Sequence, residues 1–153
     1  MGYENELIND SKKLTAKKRE MLYDDIVKDA LWYDVKIVSP KTIDELNILE
    51  ATRSAMEELS NEYKVSKVLS DAVKLKNELN IPIIKGDAKS ISIAAASIVA
   101  KVTRDRLMLE YDKQYPEYDF ASNKGYGSAK HIDAIKKHGA TPIHRTTFIK
   151  NFI

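Results

Sequence analysis

Cysteine is absent from the 153 residues. This excludes disulfides and thiolate metal sites, and it suits a reducing, cytoplasmic compartment. No apolar run approaches the roughly 20 residues that a membrane helix needs. The opening stretch, MGYENELINDSKK, lacks the apolar segment of a signal peptide. An excess of one charge is missing too: 25 Lys and Arg against 23 Asp and Glu leave a net charge of +2. The chain as a whole is therefore no polybasic binder, and contact with nucleic acid must come from a local cluster. The three histidines, His131, His138 and His144, share no metal-ligand spacing, so no zinc site is read from them. There is no internal repeat and no low-complexity tract.

Hydrophobic residues make up 43% of the chain, enough for a real core, and the length fits one domain over residues 1–153. The organising stretch is residues 81–108, IPIIKGDAKSISIAAASIVAKVTRDRLM. Ile81, Pro82, Ile83 and Ile84 read as a short buried strand. Lys85, Gly86 and Asp87 form the turn that stops it. Residues 90–111 contain neither Pro nor Gly, so a helix can run unbroken. Ala94, Ala95, Ala96, Ser97 and Ala100 let that helix lie close to a neighbour, with Ile93, Ile98, Val99 and Val102 as bulk around them. Its charged end, Lys101, Arg104, Asp105 and Arg106, reads equally as a solvated face or as the lining of a nucleic-acid groove.

Upstream, Thr15 is a cap for a helix over residues 16–30, with Leu22, Tyr23, Ile26, Val27 and Ala30 on its buried face. Residues 32–39 alternate apolar and polar and predict a strand that Pro40 ends. Thr42 and Glu45 have capping-box spacing for a helix reaching Leu59. Residues 65–69 predict a short strand that finishes at Ser70 and Asp71. Two neighbouring strands thus end on aspartates, Asp71 and Asp87. If they pair in parallel, both carboxylates lie at one edge of the sheet. They are then either turn and cap residues or two ligands of a divalent cation, which relieves their repulsion. Further on, Gly125 and Gly127 flank Tyr126, which predicts an exposed ring. That ring either packs in an ordinary turn or stacks on a base or sugar. Ser128 is a cap for a short helix that Gly139 ends.

Six segments together resemble bacterial ribonuclease HII, in that family's order and over nearly the whole chain. They are NDSKKLTAKKRE, IDELNILEATRSAM, VLSDAVKL, KGDAKSISIAAASIVAKVTRDRLM, KGYGSAKH and TPIHRTTF. The resemblance implies an α/β, ribonuclease-H-like fold: a mixed sheet, flanking helices and a helical C-terminal part over residues 111–153. It implies cleavage of RNA, or of single ribonucleotides, in an RNA–DNA hybrid or duplex, leaving a 3′-hydroxyl and a 5′-phosphate. That activity belongs to ribonucleotide excision repair. The family's four carboxylates surround Mg2+ or Mn2+, and two of them match Asp71 and Asp87. Tyr126 matches the tyrosine that stacks on the ribonucleotide sugar, and Lys12 and Lys13 match residues near the substrate backbone. A full-length member is expected to be monomeric. The family also opens on a strand with an Asp-Glu pair and a Gly-Arg-Gly turn. Here MGYENELIN directly precedes DSKKL, and Glu4 and Glu6 do not match that motif. The expectation is a chain short of its N-terminal strands and of two carboxylates, hence less stable or prone to self-associate. The alternative to an active nuclease is a fragment that binds the hybrid duplex without cutting it.

Overall fold

The structure, a computed structural model, describes Ile8 and residues 14–153. The chain divides into two compact units. One takes the described residues up to Ile37 together with Thr52–Val102; the other takes Val38–Ala51 and Thr103–Ile153.

The first unit begins with helix α1, Ala16–Asp29. Thr15 caps it, its hydroxyl accepting the Lys18 N–H at 3.3 Å. Leu22 and Ile26, one turn apart, face Ala94, Ala95, Ile98, Val99 and Val102 of the long helix α4, Ile91–Gln114. The small alanines here serve helix-on-helix packing, which needs close backbone approach as much as packing on a sheet does. Each fully buried Leu or Ile in this cluster contributes about 2 kcal/mol.

Residues 32–39 form no strand. A strand needs a ladder partner, and among the described residues none lies beside them. Side chains hold the segment to α3, Ile48–Glu62, and its end instead. Trp32 stacks on Tyr63 with ring centroids 3.8 Å apart, the Tyr63 hydroxyl donates to Asp34 at 3.3 Å, and Lys36 pairs with Glu58. Of the face expected to be buried, only Val35 is half-buried; Tyr33 and Ile37 are exposed.

The sheet is a parallel pair, β1 (Val68–Asp71) and β2 (Asn80–Ile83). Its register sets Val68 opposite Asn80 and Asp71 opposite Ile83. The connection, residues 72–79, is shorter than the roughly dozen residues of a usual parallel crossover. Asn80 tightens it: its Oδ1 accepts from Leu75 N at 2.9 Å, and its Nδ2 donates to the buried Ser70 hydroxyl at 2.9 Å. Ser70 in turn donates to the Val73 carbonyl at 2.6 Å. β2 is not the buried strand its composition predicts, since Ile81 is 42% exposed and Ile84 beyond it 72%. Among the described residues no third strand pairs with it.

In the second unit, α2 is Pro40–Leu46. Ser39, not Thr42, is its cap, accepting the Thr42 N–H at 3.1 Å, and Pro40 opens the helix rather than ending a strand. The expected single helix to Leu59 breaks at Asn47, whose φ of 68° leaves helical geometry. Asn47 Oδ1 then starts α3 by accepting from Leu49 N at 3.0 Å and Glu50 N at 3.1 Å. A 3-10 turn, Pro116–Tyr118, leads into α5 (Phe120–Asn123), α6 (Ala129–His138) and α7 (Thr146–Ile149). Tyr118, Phe120, Ala134, Ile135 and Ile149 form their core. Ser128 caps α6, and Gly139, at φ 83°, ends it.

Candidate functional site

In the first unit, the parallel register brings the ends of β1 and β2 to one edge. Asp71 is the last residue of β1. Four residues beyond β2 comes Asp87, in a 3-10 turn, Gly86–Ala88. The two positions are tied directly, because Asp71 Oδ1 accepts the Gly86 N–H at 2.8 Å. That bond uses one of about four lone-pair sites on the carboxylate. Asp87 is 8% exposed and Asp71 half-buried.

The backbone is strained on both sides of this link. Ala72 (φ 61°) follows Asp71, and Lys85 (φ 56°) precedes Gly86. Left-handed geometry costs a non-glycine residue about 1–2 kcal/mol, and such costs gather where function needs a particular side-chain direction. Gly86 packs closely: a Cβ there would meet Ile93 Cδ1 at 2.6 Å and displace that side chain, with Asp71 Cα at 3.4 Å.

Two carboxylates, one of them buried, are hard oxygen donors of the kind Mg2+ and Mn2+ take. They fit such an ion as part of its coordination. Among the described residues no group of three or more His, Cys, Asp or Glu gathers around one point.

The second unit holds Tyr126, which is 62% exposed as its flanking glycines predict. Gly125 takes a φ of 76°. The loop is pinned from inside: Asn123 Oδ1 accepts from Gly125 N at 2.7 Å, and the Tyr126 N–H donates to the Asn123 carbonyl at 2.9 Å. The Arg104 guanidinium sits 5.3 Å from the Tyr126 ring centroid, a cation–π contact that composition left undecided. Arg104 Nη1 is buried without a hydrogen-bond partner. Burial, and then the Arg104 charge, hold the Arg145 guanidinium below its usual range, while Asp44 and Tyr126 act the other way. Arg145 stacks on Phe148, 3.7 Å from its ring centroid, and with Arg104 makes the surroundings of the loop locally cationic. Lys12 and Lys13 lie outside the described residues.

Three features of the second unit had no signal in sequence spacing. Asp44 of α2 binds both threonines that open α7, accepting from Thr146 N at 2.6 Å and Thr147 N at 3.0 Å and from both hydroxyls. Arg104 and Arg145 meet near Tyr126 from distant parts of the chain. His131 and His144 are buried and face each other, Nε2 to Nε2, at 3.0 Å.

This architecture has known counterparts. The ribonuclease H2 of Pyrococcus horikoshii is similar in fold, with a TM-score of 0.74 at 30% identity, over 92% of this chain and 76% of that one. The fold is thus α/β of the ribonuclease-H-like class. The ribonuclease HII family model matches residues 4–151. Ribonuclease HII of Ruminiclostridium cellulolyticum is 53% identical over 99% of this chain and 61% of that protein. That of Lachnoclostridium phytofermentans is 58% identical over 94% of this chain and 58% of that protein. That of Acholeplasma laidlawii is 50% identical over 96% and 74%. The chain belongs to the ribonuclease HII family. It spans about three fifths of the length of the first two of these relatives.

Proposed function

We propose that this chain carries part of the active site of a cytoplasmic endonuclease that hydrolyses RNA, or single ribonucleotides, within a DNA duplex. The observation that supports this most is the parallel register that delivers Asp71 and Asp87 to one sheet edge, with Asp71 hydrogen-bonded to the residue before Asp87. In this reading Asp71 and Asp87 hold Mg2+ or Mn2+. A divalent ion bound there supplies a Lewis acid that generates hydroxide near neutral pH and stabilises the leaving oxygen. The Asp71 bond to Gly86 N–H fixes one carboxylate oxygen and so aims the other. Tyr126 stacks on the sugar of the ribonucleotide. Arg104 and Arg145 neutralise backbone phosphates beside it, which gives the orphaned Arg104 Nη1 a partner, and Lys12 and Lys13 contact the backbone elsewhere.

The test is cleavage of a duplex carrying one ribonucleotide, with Mg2+ or Mn2+ present. Asp71→Asn keeps an oxygen for the Gly86 N–H and removes the charge. Cutting should fall by at least about 100-fold with the fold intact, since metal stabilisation of the transition state is worth several kcal/mol. Full activity in Asp71→Asn rejects the assignment. A second reading is favoured because, among the described residues, no group of three or more His, Cys, Asp or Glu gathers to hold a metal. In it, the chain binds the hybrid duplex through Tyr126 and its cationic surroundings without cutting. Binding that weakens steeply with salt, with no turnover at any metal concentration, selects that reading.

A further inference from the structure

The buried histidine pair of the second unit has hydrogen-bond partners that fix where its protons lie. The Thr141 backbone N–H, which can only donate, points at His144 Nδ1 at 3.0 Å. His144 Nδ1 therefore carries a lone pair, and the Thr141 hydroxyl lies 2.8 Å from the same atom. The neutral His144 ring then has its hydrogen on Nε2. At the other end, His131 Nδ1 lies 2.8 Å from the Tyr126 carbonyl, which can only accept. His131 therefore carries its hydrogen on Nδ1 and a lone pair on Nε2. The 3.0 Å Nε2–Nε2 contact then needs one hydrogen, and His144 supplies it.

The result is a one-way chain of donors: Thr141 N–H to His144, His144 to His131, His131 to the Tyr126 carbonyl. That carbonyl also accepts the Ser128 N–H at 2.9 Å. Each lone pair in the chain faces a donor, so an added proton has no acceptor without breaking a link. His131 is 4% exposed and His144 7%, so water cannot readily substitute.

We propose that His131 and His144 are positioning residues for Tyr126: as a neutral pair they hold the loop that presents its ring, and protonation of the pair releases it. The importance of that ring for substrate rests on the function proposed above; the holding of the loop does not.

The surroundings favour the neutral state. Tyr118 packs on both imidazoles, with ring centroids 6.4 Å from His131 and 5.1 Å from His144, and Phe120 lies 5.3 and 5.6 Å from them. Behind Tyr118 stand Tyr115, between α4 and the 3-10 turn, and His138 of α6. Lys41, Asp44 and Glu45 of α2 share a groove with His144. Arg145 follows His144 in the chain, and on α6 Lys130, paired with Asp119, and Asp133 flank His131. Burial, then the neighbouring His131, lower the His144 pKa from its usual 6.5.

Side-chain 15N NMR of the whole chain reads the tautomers directly, and amide and aromatic resonances read Tyr126. The expected result at pH 7 is Nδ1–H on His131 and Nε2–H on His144, both neutral. On acidification His144 titrates below 6.5, and the Tyr126, Gly127 and Ser128 signals shift with the same midpoint. His131→Asn places an amide N–H near the Nδ1 position; it should keep the Tyr126 signals at their neutral position and remove their shift in acid. His131→Leu should move them at every pH. A charged ring or an Nε2–H His131 at pH 7 overturns the proposal, as do Tyr126 signals that ignore the titration in the unmodified chain. If the expected NMR pattern is found in a chain that does not bind a ribonucleotide-containing duplex, the positioning role stands and the substrate role of Tyr126 falls.

Discussion

Asp44 shows how much one side chain can do when its acceptors meet the right donors. The Thr147 hydroxyl, then the Thr146 hydroxyl and both backbone N–H groups, hold its carboxyl down at about 2 from the ordinary 3.8, against some desolvation. The folded value lies below the unfolded one. Its stabilisation is therefore fully present above about pH 3.8 and is lost as pH falls from there towards 2. Carboxyl 13C NMR should place the Asp44 midpoint near 2 in the folded chain, and Asp44→Ala should flatten that part of the acid unfolding curve. A midpoint near 3.8 would mean that the threonine bonds do not persist in solution. Sequence spacing carried no hint of this residue, because its partners lie about a hundred positions away. The same distance problem hid the histidine pair: 13 positions on either side of a loop form no recognisable pattern, and the pairing is visible only in three dimensions. Tyr126 was legible because its cue, a glycine on each side, is local.

Among the elements, those set by near neighbours matched their sequence cues. The Thr15 cap, the Pro- and Gly-free run of α4 and the Ser128-to-Gly139 helix all fall where expected. Elements that need a distant partner did not. Residues 32–39 have the alternation of a strand but meet an aromatic stack and an ion pair instead of a ladder. The apolar run of β2 suggested burial, yet burial depends on what covers it. The break between α2 and α3, which the apolar periodicity hid inside one expected helix, falls at Asn47, a residue that tolerates positive φ and caps helices. Asn47→Ala loses the cap and keeps the strained backbone, so it should cost about 1–3 kcal/mol. Asn47→Gly relieves the strain and should cost less. Urea unfolding of both variants gives the order; an alanine variant as stable as the original chain would show that the break is imposed by packing elsewhere.

At the scale of the whole molecule, the candidate cation site was legible in part because it follows from a simple arrangement. Two short strands pair in parallel, and their ends come to one edge; β1 finishes on Asp71, whereas Asp87 follows β2 by four residues, in a 3-10 turn rather than at the strand end. The structure shows the pairing and the Asp71–Gly86 bond. Family membership explains why the six sequence segments occur together in that order. The ligand role of the two carboxylates remains the proposal on which the functional reading turns. The most direct test is titration of Mn2+ into the 15N-labelled chain, with paramagnetic broadening followed residue by residue. The account expects broadening centred on Asp71, Gly86 and Asp87, weakened at least about tenfold in affinity by Asp71→Asn, because a buried-edge carboxylate loses its charge. Broadening centred elsewhere, or broadening at these residues that Asp71→Asn leaves unchanged, would contradict it.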